Sequence, residues 1–530
     1  MLQIGGLLRP IWKLGASFNR YNIMQMLSRF LLMLREWHEG ISPPVFFTAA
    51  AFNLVLIAYA GIWTEHAGAT FNALLLFISE TFGGYYVLST AVVVAFVFWL
   101  LLSPYGKLRL GRPNDPPQFK FLTWLAMLFA AGMGMGLVFW GVAEPLYHYQ
   151  MPPMADSRSP AAATEAMRFS FFHWGLHPWA VYVVFGLGIA LLHYRKDLPL
   201  APRALLYPLF GSRINGWLGH TTDAFCTVGT LLGVATSLGL GAMQINAGLT
   251  RLTDIDYALS VQIWIISLIT LVATLSTVSG VSRGIRYLSM VNCAIMGMFL
   301  IFVFVTGPTG YQIATFISAT TDYVQQFLPT SVWLDSRPNS DWQVNWTLFY
   351  WGWWISWSPF VGIFVARISK GRTVREFVFC VLFIPTTINF LWFAIFGGTA
   401  LYIESEGDGG LIGPVMENVA MSLHVLLEYL PWTTVMQWSG LVLAVIFFIT
   451  SSDSGSFVDD MVTSGGNPNP PVANRIFWGI SEGAAAAVLL LAGGLQALQA
   501  VSISAGLPQS LLLLFACIGL IKTLHTESLS

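Results

Sequence analysis

Long hydrophobic segments separated by short polar connections recur along the whole chain. Each is about as long as the roughly 20 residues that a helix needs to cross the hydrocarbon core of a bilayer. They fall near residues 43–64, 84–103, 121–147, 163–192, 223–248, 258–276, 285–306, 344–368, 376–399, 432–460, 474–494 and 499–521. The pattern predicts an all-α polytopic membrane protein with twelve transmembrane helices.

The composition supports this class of protein. Of 530 residues, 55% are hydrophobic and 10% are charged, and the mean hydropathy is +0.66. Such a chain is expected to have the lipid bilayer as its partner. A formal net charge of −1 provides no basic surface for nucleic acid, so no such partner is expected. The four cysteines all lie in hydrophobic segments and are predicted to be free thiols.

The distribution of basic residues predicts the orientation. With the N-terminus inside, 21 of the 25 Lys and Arg residues fall in cytoplasmic segments, and only Arg158, Arg251 and Arg337 fall outside. The expected organisation is a cytoplasmic segment at 1–42, a membrane domain at 43–522 with an outer helix near 311–328, and a short cytoplasmic tail at 523–530. A multi-pass protein of a bacterial inner membrane, with both termini cytoplasmic, is expected.

Two predicted spans contain helix-breaking residues. The third carries Gly132, Gly134 and Gly136, and the eighth carries Gly352 and Pro359. Irregular backbone survives at membrane depth only where it is buried in protein or lines a cavity. The two spans are five apart, so they would open two five-helix repeats, spans 3–7 and 8–12. Paired interruptions of this kind are typical of secondary transporters. Close helix packing through small residues is the alternative.

Four tryptophans lie within residues 350–359 of the eighth span. Trp353 and Trp357 are four residues apart and share one helical face, which Trp354 widens. Indole faces attract a methylated cation by about 2 kcal/mol or more when the site is desolvated. An interfacial aromatic belt is the alternative, but belts lie at the ends of spans. The run predicts a cage for an onium group.

The fourth span supplies a second group of aromatic side chains. Trp174, Trp179 and Tyr182 follow within nine residues, and the last two share a helical face. Together with Trp354 they would form a second cage or a passage for the same group. Phe139, just after the glycine triplet, would close the cage from the third span.

A cation site is predicted where hydroxyl groups interrupt the tenth span. Thr450 and Ser451 would supply side-chain oxygens, and Ala130 and Met133 would supply main-chain carbonyls from the broken third span. Sodium is a hard ion and prefers oxygen ligands. The alternative is that the hydroxyls bond to carbonyls of their own helix, which is common.

The absence of an acidic residue from the glycine triplet and the tryptophan run favours a zwitterion over a free cation, because a zwitterion carries its own carboxylate. A membrane enzyme using Glu144, His173 and His177 is a rival from another class, although no third metal ligand accompanies the two histidines in sequence. A channel is a further rival, and it would not accumulate substrate against a gradient.

Four motifs occur in order between about residue 43 and the C-terminus. They are Gly-Met-Gly-Met-Gly at 132–136, His-Trp-Gly-Leu-His-Pro-Trp-Ala-Val-Tyr at 173–182, Ser-Leu-Gly-Leu-Gly at 237–241, and the tryptophan-rich segment at 346–367. In these motifs the chain resembles the betaine/choline/carnitine transporter (BCCT) family, which has the LeuT-type fold.

The resemblance implies a homotrimer whose protomers import a methylated onium compound by alternating access. The expected substrate is glycine betaine or a similar zwitterion such as dimethylsulfoniopropionate or carnitine, and the expected coupling ion is sodium. A proton-coupled choline transporter is the alternative. No other cofactor is expected. The family's sodium site corresponds to Ala130, Met133, Thr450 and Ser451, and a weaker second site to Thr230 and Phe447, where Val234 replaces a threonine.

Overall fold

The computed structural model describes residues 37–132, 134–278, 282–338 and 340–529. Within these ranges the chain is helical, and the only extended pairing is a single bridge between Arg109 and Thr373. The helices of eight or more residues are α1 Pro43–Ile62, α2 Thr64–Leu102, α3 Phe121–Gly132, α4 Met135–Gln150, α5 Pro160–Trp174, α6 Leu176–Lys196, α7 Trp217–Leu252, α8 Leu259–Val278, α9 Ser282–Thr306, α10 Thr309–Gln325, α11 Phe349–Ile368, α12 Val374–Ser405, α13 Thr433–Thr463 and α14 Val472–Leu529.

Eight helical segments in the described ranges are long and apolar enough to cross a membrane, and a ninth results if α9 and α10 count as one bent span. The protein is therefore a polytopic membrane protein. The sequence predicts twelve spans, which is more than these eight or nine. Part of the difference arises because the two halves of a broken helix are each too short to count as a span. The third predicted span is one such case, since it is divided into α3 and α4.

Glycines mark the other breaks. A Cβ on Gly175, between α5 and α6, would lie 2.4 Å from the carbonyl oxygen of Phe171, so only glycine fits there. Within α14 the helix is interrupted at Gly493 and Gly494, and Gly494 has a φ of 57°, which L side chains rarely adopt. This break divides α14 at the boundary between the last two predicted spans.

The helices that carry the predicted site residues lie in the interior. The span from Pro160 to Lys196 and helix α7 are almost wholly covered by other helices, whereas α1 and α8 are largely exposed. Helix α11 packs against α6, α7 and α14, and α7 packs against α13. The exposed apolar faces of the outer helices suit contact with lipid.

The predicted outer helix corresponds to α10, which turns by 110° from the preceding helix. The last helix extends to Leu529 and so includes most of the predicted C-terminal tail. Of the predicted N-terminal segment, residues 1–36 lie outside the described residues.

Candidate functional site

A cavity of 230 Å³ lies where the start of α4, the α5–α6 break, α7, α9, α11, α12 and α13 meet. Most of the predicted site residues line it. These are Gly134, Gly136, Trp174, Trp179, Tyr182, Trp353, Trp354, Trp357, Phe447, Thr450 and Ser451. The predicted cage, the predicted second box and the predicted hydroxyl pair therefore face one space.

The tryptophan rings form two walls of this cavity. Trp353 and Trp354 stack on each other, with centroids 4.8 Å apart and planes 14° apart, and Trp174 meets Trp354 edge-on at 4.9 Å. Trp357 lies apart from this stack and packs edge-on against Phe360 at 5.0 Å. An onium group in this cavity would lie beside these indole rings, and indole is the ring that attracts a methylated cation most strongly.

Gly136 makes the close approach of two rings possible. A Cβ at this position would lie 2.6 Å from Cη2 of Trp353 and 3.0 Å from Cη2 of Trp174. Carbon atoms in contact normally lie about 3.5–4.0 Å apart. At Gly134 the same addition would meet nothing within 4 Å. Within the described part of the triplet, Gly136 is thus the position at which a side chain would displace the cage.

A buried hydrogen-bond network holds the aromatic wall from behind. Glu144 Oε2 accepts from Trp174 Nε1 at 2.8 Å and from the Tyr350 hydroxyl at 2.6 Å. Glu144 Oε1 lies 2.7 Å from His173 Nδ1 and 3.3 Å from His148 Nε2. Both carboxylate oxygens are therefore occupied by partners, two of which belong to the tryptophan wall and its support.

Glu144, His148 and His173 form one buried group of potential metal ligands. The sequence analysis did not identify His148 as a member of this group. His177 does not belong to this group, because its Nε2 lies 2.9 Å from the Ser331 hydroxyl. The proposed enzymatic trio is therefore not assembled. The described contacts of Glu144 instead suit a structural role, in which its charge is met by indole, phenol and imidazole groups.

Several hydrogen-bond donors at the cavity have no acceptor among the described residues. They are the buried indole nitrogens of Trp179, Trp353 and Trp357. Gly134 is extended, with φ −148° and ψ 175°, and helix α4 begins at the next residue, Met135. The first N–H groups of a helix lack intrahelical acceptors and favour negative charge. The cavity thus combines aromatic rings with the N-terminus of α4, which suits a carboxylate.

The hydroxyl groups of α13 have a more mixed environment. Thr450 lines the cavity, but its Oγ1 also lies 2.9 Å from the Ile446 carbonyl oxygen, which is the alternative bonding noted above. Ser451 lines the cavity beside it. Ala130 belongs to α3, and Met133 lies outside the described residues. The carbonyl half of the expected sodium site therefore stays a prediction.

Two predicted site residues do not reach the cavity. Phe139 is buried against Trp140, with ring centroids 4.9 Å apart. Thr230 is buried on α7 and is not among the residues that line the cavity, whereas Phe447 is.

The cavity also contains residues that the sequence analysis missed. Asn389 of α12 donates from Nδ2 to the Trp174 carbonyl oxygen at 2.8 Å, and Asn292 and Cys293 come from α9. They belong to no motif that the sequence analysis used, so nothing local marked them as site residues. Cys293 is half-buried and, like the other three cysteines, a free thiol.

The fold and the cavity define a polytopic membrane protein with an internal cavity lined by aromatic side chains. The model of the BCCT family, described as betaine/carnitine/choline family transporters, matches residues 44–529. The glycine betaine transporter OpuD of Bacillus subtilis is 41% identical over 488 residues, covering 91% of this chain and 94% of that protein. Glycine betaine transporter 1 of Vibrio parahaemolyticus is 40% identical over 504 residues, covering 93% and 96%. A glycine betaine/proline/choline/ectoine transporter of the same species is 41% identical over 505 residues, covering 93% and 89%.

The chain belongs to the betaine/carnitine/choline transporter family. The protein is therefore a membrane transporter rather than an enzyme, and the family resemblance drawn from the four motifs is confirmed.

Proposed function

We propose that the protein imports glycine betaine, or a similar methylated onium zwitterion, together with sodium. The observation that carries this proposal is the composition of the cavity. Its walls include five tryptophans, and none of the described residues that line it carries a formal charge. A zwitterion suits such a site because its two charges can be met separately, by ring faces and by N–H donors.

The size of the cavity supports a small substrate. Its 230 Å³ is below the roughly 300–1,000 Å³ that is usual for sites of drug-sized ligands. Relatives named as glycine betaine transporters support the same substrate class. One relative is named as a transporter of proline, choline and ectoine in addition to glycine betaine, so these alternative substrates must be tested.

The proposed architecture has twelve spans in two five-helix repeats after the first two, and the protomers form a homotrimer in a bacterial inner membrane with cytoplasmic termini. The number of twelve spans is supported when α3–α4 and α5–α6 are each counted as one broken span and α14 is divided at Gly493 and Gly494. Substrate and sodium would drive alternating access by binding one conformation more tightly than the other.

The decisive experiment is uptake of radiolabelled glycine betaine into proteoliposomes, driven by a sodium gradient in one set and by a proton gradient in another. Accumulation against the substrate gradient with sodium alone supports the proposal and excludes a channel. Accumulation with protons alone would favour the proton-coupled alternative. Competition with choline, carnitine and dimethylsulfoniopropionate would rank the substrates.

A further inference from the structure

A second group of polar residues lies beyond the cavity, between α7, α13 and the first half of α14. Asp459 and Glu482 are fully buried, and their carboxylates interact electrostatically with each other. Neither oxygen of Asp459 has a hydrogen-bond partner among the described residues. Glu482 uses one oxygen to accept from the Ser456 hydroxyl at 2.8 Å, while its Oε1 has no described partner.

The packing register of α7 and α13 identifies which residue faces Asp459. The two helices touch at Gly248 and Leu441, at Gly241 and Phe448, and at Val234 and Gly455. Each step of seven residues down α7 is matched by seven residues up α13, so the helices run antiparallel in a constant register.

One further helical turn of four residues takes Val234 to Thr230 and Gly455 to Asp459, which places these two side chains on facing surfaces. Two observations agree with this register. The Thr230 hydroxyl is buried, at 1% exposure, and has no described hydrogen-bond partner. Asp459 also acts electrostatically on Cys226, which is one turn from Thr230 on the same face of α7.

The neighbouring charges do not neutralise this pair. Asp460 has Arg475 at 3.8 Å, and Asp223 is ion-paired with Arg203. Asp453 also acts on Glu482 and adds to the negative potential. Among the described residues, no Lys or Arg makes an ion pair with Asp459 or Glu482. Two buried carboxylates without a cation are costly, so the arrangement calls for positive charge.

We propose that Asp459, Glu482 and Thr230, with the Ser456 hydroxyl, form a sodium site distinct from the one at Thr450 and Ser451. It lies about 12 Å along α13 from Ser451, at 1.5 Å per residue. A hard cation binds several oxygen ligands at once. The unpartnered oxygens of Asp459, Glu482 and Thr230 would provide such ligands. The competing arrangement is a proton on Asp459 whose O–H is donated to the unpartnered Oε1 of Glu482, and it predicts that Asp459→Asn leaves the sodium count unchanged. The choice of sodium rests on the proposed sodium coupling.

The test measures equilibrium binding of radioactive sodium to the purified full-length protein without any organic substrate. Asp459→Asn should bind about one fewer sodium ion per chain than the unmodified protein. The matched control is Asp460→Asn, which changes the adjacent buried aspartate and should keep the full number. A full count in well-folded Asp459→Asn would overturn the proposal.

A second pair of variants makes a smaller change, so that a loss of sodium binding can be distinguished from a folding defect. Thr230→Val removes the hydroxyl at nearly constant volume and should weaken sodium binding at this site by about tenfold, as loss of a metal contact typically does. Thr230→Ser restores the oxygen and should restore the affinity. Unmodified affinity in Thr230→Val would exclude the hydroxyl as a ligand and overturn the site as drawn. If the unmodified protein binds no sodium at all, the proposed coupling fails, whereas normal binding that is insensitive to these variants refutes only this site.

Discussion

The close contact between Gly136 and two cage rings makes Gly136→Ala a sharp test of the aromatic site. The added Cβ would lie 2.6 Å from Trp353, about 1 Å closer than a normal carbon contact. The Trp353 ring must therefore move by about 1 Å or tilt, and the Trp174 ring, whose Cη2 would lie 3.0 Å from the same Cβ, must also shift.

The expected consequence is the loss of one good cation–π contact. Such a contact is worth about 2 kcal/mol in a desolvated site, which corresponds to roughly a 30-fold rise in the KM for glycine betaine. The assay is uptake into proteoliposomes over a range of substrate concentrations, with the amount of inserted protein measured in each preparation.

Gly134→Ala provides the matched comparison, since it makes the same change two residues earlier, where the new methyl meets nothing within 4 Å. Its backbone is extended, so alanine is not strained there. We expect a much smaller rise in KM for this variant. If Gly136→Ala inserts normally and keeps the unmodified KM, or if the two variants behave alike, the rings do not bind the substrate in this arrangement.

Three further predictions address the other parts of the site. Trp357→Leu removes one of the indole rings that line the cavity and should reduce uptake to background at normal membrane expression; unmodified uptake would show that the cage lies elsewhere. Ser451→Ala should raise the sodium concentration needed for half-maximal uptake, and an unchanged sodium dependence would remove this hydroxyl from the ion site. Glu144→Leu removes the shared acceptor of Trp174 and Tyr350 at similar volume, at a cost of about 1–3 kcal/mol for each donor left buried without an acceptor, so the KM should rise by about tenfold or more; an unchanged KM would mean that the network does not hold the wall.

Local sequence patterns predicted much of the fold and part of the site. The length of each apolar run decides whether a helix can cross a bilayer, and a glycine-rich run weakens a helix wherever it occurs, so both features can be read without knowing the neighbours. The break at Gly134 and the aromatic faces of α6 and α11 are of this kind, whereas the interruption expected at Gly352 and Pro359 is not seen, since α11 is continuous from Phe349 to Ile368.

Contacts between distant parts of the chain could not be predicted in this way. Periodicity gives the face on which a residue lies but not the helix that this face meets. Glu144 reads as a single carboxylate near a span end, and only packing joins it to Tyr350, which is 206 residues away. Phe139 and Thr230 lie on buried faces, as expected of site residues, yet their faces meet other neighbours than the cavity.

By itself the sequence determined the class of protein, its helical, membrane-spanning character and the residue types that attract an onium group, because hydrophobic length and ring chemistry are local properties. The tertiary structure alone decided which rings share a cavity, which asparagine and histidine support them, and that Phe447 lines the cavity whereas Thr230 does not. These outcomes depend on the register in which helices pack, and register is set by side-chain volumes on two helices at once.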